Sequence, residues 1–107
     1  MLTFERRKYW RTRHAFKVEM KHARTDVKII GVTQDISQGG VFISSPSWSI
    51  FEKDDRAELR IFLPPEFTGQ MDTLILTGPG ILKRIEGGQE GVAVEFLNEL
   101  KTFKPSF

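Results

Sequence analysis

VKIIGVTQDISQGGVFI, residues 27–43, sets two runs of apolar and β-branched residues around Ser37-Gln38-Gly39-Gly40. β-Branched side chains favour extended backbone, and a Ser-Gln-Gly-Gly step supplies turn chemistry. The reading is a hairpin, with one strand from Val27 to Ile36 and the next resuming at Val41-Phe42-Ile43. Gly31 interrupts the first run and marks a candidate bulge.

The same pattern extends outward from this hairpin. Upstream, Phe16, Val18 and Met20 alternate with Lys17, Glu19 and Lys21, the period of a half-buried strand. A charged turn from Ala23 to Asp26 joins it to the hairpin. Downstream, residues 45–56 are irregular with one short helical turn, and then Ala57, Leu59, Ile61 and Leu63 alternate with Glu58, Arg60 and Phe62. Pro64-Pro65 ends that strand. A long extended stretch from Thr73 to Ile85 is expected to break at Gly78-Pro79-Gly80, because proline removes a ladder donor. Gly87-Gly88 turns the chain into Val92, Val94 and Phe96. Asn98 to Phe103 is read as a brief helical turn that packs Leu100 and Phe103 on a barrel end, and Trp48, Phe51 and Phe67 as caps on the barrel openings.

About six short strands without a long helix indicate an all-β domain. Closure into a β-barrel is preferred over an open sandwich because it removes the edges of a small sheet. Two segments result: a flexible basic N-terminal arm over residues 1–14, and a barrel domain over residues 15–107, ending in at most a short helix.

A chain of 107 residues accommodates one core. It contains no cysteine, which excludes disulfide frameworks and thiol chemistry. No apolar run is long enough to span a bilayer, and MLTFERRKYW lacks the apolar stretch of a signal peptide, so a cytoplasmic protein is expected. The net charge of +2 conceals an asymmetry: residues 1–28 carry nine Lys/Arg against three Asp/Glu, and the remainder seven against eleven. A cationic end of this kind points to an anionic partner held at one place.

Arg6, Arg7 and Arg11, with Lys8 and Arg13, lie on the arm. A guanidinium can grip phosphate through two bonds, donate to the O6/N7 edge of guanine, and stack on a purine. The ordinary alternative is a solvated basic terminus. Asp35-Ile36-Ser37-Gln38-Gly39-Gly40 is the second element: a carboxylate can accept from guanine N1 and N2, a serine hydroxyl can donate to phosphate, and glycine permits close approach. Here the ordinary alternative is a turn whose Asp35 and Ser37 bond the local backbone. Tyr9 and Trp10 could equally stack on a base or anchor the arm. His14 and His22 lack cysteine or paired carboxylate spacing and are read as surface or strand-edge residues, and Asp54-Asp55 as a solvated turn.

Taken together, the two elements resemble the PilZ domain family of cyclic di-GMP receptors. Its RxxxR motif falls on Arg7 and Arg11, its (D/N)xSxxG motif on Asp35, Ser37 and Gly40, and GVAVEF at Gly91 to Phe96 looks like its closing strand. The resemblance spans Glu5 to Phe96 and implies an all-β, six-stranded antiparallel β-barrel with the arginine arm folding over the ligand at its outer surface. It implies that Arg7 and Arg11 hold guanine and phosphate groups while Asp35 and Ser37 fix the ligand from the barrel side, with Gly39 and Gly40 keeping the ledge open. Lys8 and Trp10 are accessory candidates. Arg6, directly before RxxxR, implies a stacked dimer of ligand. No cofactor is called for. The implied role is a bacterial second-messenger receptor or adaptor in motility or biofilm regulation, whose arm is repositioned on binding and changes its contacts with a protein effector.

No catalysis is expected, since neither histidine has a recognisable nucleophile partner and the carboxylates form no acid–base motif. Two alternatives stand beside the receptor: a small barrel binding nucleic acid through the arm and aromatics, and a PilZ-like adaptor working through protein contacts without ligand.

Overall fold

The computed structural model describes residues 11–12, 15–69 and 71–103. Among these residues, eight strands run in chain order: β1 (Arg11–Thr12), β2 (Lys17–His22), β3 (Lys28–Ser37), β4 (Gly40–Ser44), β5 (Arg56–Leu63), β6 (Leu74–Glu86), β7 (Gly91–Phe96) and β8 (Lys101–Phe103). The path β3-β2-β5-β6-β7-β4 returns on itself because β4 also pairs with β3. All pairings are antiparallel, so six long strands form a closed barrel, with β1 and β8 as short additions. Closure pairs the lateral edges that an open sheet of this size would expose.

Alternation places the core. Val18 and Met20 of β2, Leu59 and Ile61 of β5, Ile43 of β4, Leu82 of β6 and Val92 of β7 all have no exposed surface. Burying a side chain of this size stabilises the fold by about 1.5–3 kcal/mol. Phe51 is buried at one end, Trp48 and Phe67 pack partly buried against the core, and Phe16 meets Phe67 edge to face with centroids 4.8 Å apart. Of the described residues, no helix is long and apolar enough to cross a membrane.

Several local expectations are corrected. Gly31 is not a bulge: it pairs regularly with Val18, and a side chain there would collide with the Ser44 carbonyl, so close approach is what requires glycine. The irregularity in β3 lies between Thr33 and Asp35 instead.

β6 also runs unbroken through Gly78-Pro79-Gly80. The Pro79 carbonyl accepts the Leu97 amide at 3.0 Å. A strand residue's nitrogen and carbonyl face the same side, so the missing donor of Pro79 faces away from β5. On that side β8 pairs residues 75–77 and the pairing with β7 starts at Gly80, which leaves proline in the gap between two neighbours.

The C-terminal segment forms a strand where a helical turn was expected. β6 outruns β7, and its free edge is a better partner for the tail than solvent. Leu100 does reach the barrel, closing over Gly78, where an added Cβ would lie 2.8 Å from its Cδ2.

His22 and Asp55 are the remaining correction. His22 is buried, not superficial, because the β2 alternation turns it inward behind Val18 and Met20. Its ring stacks on Phe51 with centroids 5.3 Å apart. Nδ1 accepts the Arg24 amide at 3.1 Å, which assigns the proton to Nε2, and Nε2 donates to Asp55 Oδ2 at 2.9 Å. Asp55 is therefore a packed residue, not part of a solvated turn, and also accepts the Glu52 amide at 2.8 Å. Burial pushes its carboxyl up, but the Glu52 amide, the His22 ring and the Arg24 charge together outweigh this and hold it below the usual range.

Candidate functional site: a polar row on the outer barrel wall

Strict alternation along β3 would carry Asp35 inward after Ile29, Gly31 and Thr33. The bulge at Gln34 prevents this. One extra residue reverses the phase of the pleat, so Ile36 points into the core and Asp35 and Ser37 face the outer surface, partly covered. The two polar residues of the motif owe their accessibility to this irregularity.

The turn that follows brings the glycines beneath them. Gly40 pairs with Glu95 of β7, and a Cβ there would stand 2.5 Å from the Val94 carbonyl, so the strands could not approach this closely with any other residue. Gly39 meets no such limit; its carbonyl accepts the Phe96 amide at 2.9 Å. Ser37 Oγ donates to the Gly40 carbonyl at 3.4 Å, a long bond easily exchanged for a better acceptor.

β6 carries a matching irregularity. Its register against β7 shifts between Leu82 and Arg84, so Lys83 and Arg84 both stand exposed between inward Leu82 and Ile85. The two bulges share one row, in which Asp35 pairs with Phe42, Phe42 with Ala93, and Ala93 with Arg84. An acid therefore lies at one end and cations at the other, with Phe42 and Ala93 between. Gly91 keeps this floor low: a Cβ there would come within 2.7 Å of the Phe42 ring.

The row lines an open recess of about 380 Å³, bordered by Asp35, Ser37, Gly39, Gly40, Phe42, Lys83, Arg84 and Glu95. Lys83 lies 3.9 Å from Glu95, and Arg84 Nε is bonded to Glu86. Such exposed pairs hold weakly and can be displaced by a stronger anion.

Four sequence-predicted site residues, Asp35, Ser37, Gly39 and Gly40, thus meet on one recess. Arg11 joins them by register: β1 continues the edge of β3 beyond β2, and Arg11 is the ladder partner of Ser37. Arg6, Arg7, Lys8 and Trp10 lie outside the described residues. Sequence reasoning missed Phe42, Lys83 and Arg84. The signal was present in Leu82-Lys83-Arg84-Ile85, where two successive polar residues between apolar ones cannot sit on a regular two-residue pleat.

A small closed barrel thus holds the backbone of Arg11 in register beside an acidic, glycine-bordered recess on its outer wall. The chain belongs to the PilZ domain family, whose model matches residues 5–102; this is a family of cyclic di-GMP-binding domains. No curated protein matches the chain in sequence. Its fold is similar to the Bacillus subtilis inhibitor of motility, MotI/DgrA, with a TM-score of 0.68 and 22% identity, covering 90% of this chain and 44% of that one. It is also similar to the PilZ domain of CeSA from a cellulose-synthesizing bacterium, with a TM-score of 0.56 and 23% identity, covering 83% of this chain and 82% of that one. The chain thus spans less than half the length of the motility inhibitor.

Proposed function

We propose that this chain is a receptor for cyclic di-GMP and acts without catalysis. The observation that supports this reading most directly is the convergence of its two motif halves: the backbone of Arg11 pairs with Ser37, two residues from an outward-turned Asp35. Asp35 accepts the N1 and N2 hydrogens of a guanine, and Ser37 donates to phosphate. Arg7 and Arg11 supply bidentate and stacking contacts from the opposite side. Gly39 and Gly40 leave room for the ligand, with Lys8 and Trp10 contributing at its edge. Arg6 adds a cation for a second, stacked ligand molecule.

Binding then becomes a switch, because a ligand held between segment and barrel favours one placement of residues 1–14 over others and alters the surface offered to a protein effector. Calorimetric titration with cyclic di-GMP, against GTP and a short single-stranded DNA, tests the reading. Selective micromolar or tighter binding is expected, with stoichiometry near two. Asp35→Ala should weaken binding about ten-fold or more, the loss of a charge-assisted hydrogen-bonding group. Equal affinity for the DNA, falling steeply with salt, would instead support a nucleic-acid-binding barrel.

A further inference from the structure

The outer wall carries a second polar group that the two motifs do not include. Lys83 and Arg84 reach the surface together only because β6 bulges, and the bulge falls in the same row as the one that exposes Asp35. Two independent irregularities, on strands separated by β4 and β7, turn an acid and a pair of cations onto one face. Three strand spacings of roughly 4.8 Å put the row ends about 14 Å apart along the wall. Asp35, Phe42 and Arg84 also line a second recess next to the first, which places acid, aromatic ring and cation on one continuous surface.

We infer that Arg84, assisted by Lys83, forms the far rim of the ligand platform and binds a phosphodiester of the nucleotide whose guanine is held at Asp35. This rests on the receptor reading and extends it to residues outside both motifs. Chemistry favours these roles: a carboxylate accepts from guanine N1 and N2 and is repelled by phosphate, whereas guanidinium and ammonium groups attract phosphate; a guanidinium can also donate to guanine O6/N7, which the lysine variant below separates from a phosphate contact. The Phe42 ring, lying low over Gly91, offers an apolar floor for the sugar and base between them. Arg84 is held in readiness by Glu86, whose single carboxylate is exchanged for the phosphate when ligand arrives.

Calorimetry with cyclic di-GMP on the wild-type chain, Arg84→Gln, Arg84→Lys and Glu86→Gln tests the inference. The Arg84 side chain is 63% exposed, so these variants should keep the wild-type thermal midpoint within a few degrees. Arg84→Gln is expected to weaken binding about ten-fold or more. Arg84→Lys should recover part of that loss, because phosphate accepts a point charge, whereas a guanine edge would require the fork. Glu86→Gln should bind about two-fold tighter, having no competing ion pair to break. If the wild type binds and Arg84→Gln binds equally well, the far rim is refuted while the receptor reading stands. Arg84→Lys as weak as Arg84→Gln would overturn the phosphate assignment. A wild type that takes no ligand removes the receptor reading and the rim with it.

Discussion

Replacing Gly40 by alanine separates two reasons for a glycine in the turn between β3 and β4. Gly40 does not occupy the left-handed region, since Gly69 is the only described glycine with positive φ. The case is therefore one of space. The added Cβ would lie 2.5 Å from the Val94 carbonyl, and ordinary contact begins near 3.4 Å, so β4 and β7 must part by most of an ångström where Gly40 pairs with Glu95. The obstacle is backbone, which cannot rotate aside as a side chain would. Overpacking of this kind costs about 1–3 kcal/mol, and in a domain of this size each kcal/mol lowers Tm by about 4–8 °C. Gly39→Ala is the control, because no atom lies within 4 Å of its Cβ position. Urea denaturation of both variants, followed by tryptophan fluorescence, measures the difference. A fall in midpoint for Gly40→Ala alone, with unchanged slope, is expected. Equal midpoints for the two variants would refute the close-approach argument and return the glycines to ordinary turn chemistry.

Acid stability should report on Asp55. Its pKa is depressed by folding, so its contribution is present above the unfolded value of about 3.9 and is lost as pH falls through the lower folded value. Denaturation midpoints of the wild type should drop on acidification below about pH 4, and Asp55→Asn should show a shallower drop; parallel curves would contradict the assignment. Leu59→Ala, emptying a fully buried site between β2 and β6, should cost about 2–5 kcal/mol in chemical denaturation. A loss below 1 kcal/mol there would mean that the barrel interior relaxes around the cavity.

The strands were legible because each half-buried one writes a two-residue period into the chain: Phe16 to Met20, Ala57 to Leu63 and Val92 to Phe96 read correctly to within a residue or two at their ends. The motif residues were legible as chemistry. What misled was local punctuation. Gly31 and Pro79 looked like interruptions and the tail after Phe96 like a helical turn, yet the role of each depends on a neighbour that arrives from elsewhere in the chain. Gly31 answers to Ser44, Pro79 to the gap between β7 and β8, and β8 to the unpaired length of β6. His22 and Asp55, 33 positions apart, give no sequence sign that they will meet.

By itself, the order of residues determined the all-β class, the six long strands and the types of polar group available to a ligand, because these follow from side-chain period and functional chemistry at each position. Only the tertiary structure decided which of those groups share a face. That choice depends on two bulges, at Gln34 and Lys83, whose effect is to reverse the pleat beyond them. A bulge is defined by two residues facing one across a ladder, so it exists only when the partner strand is in place.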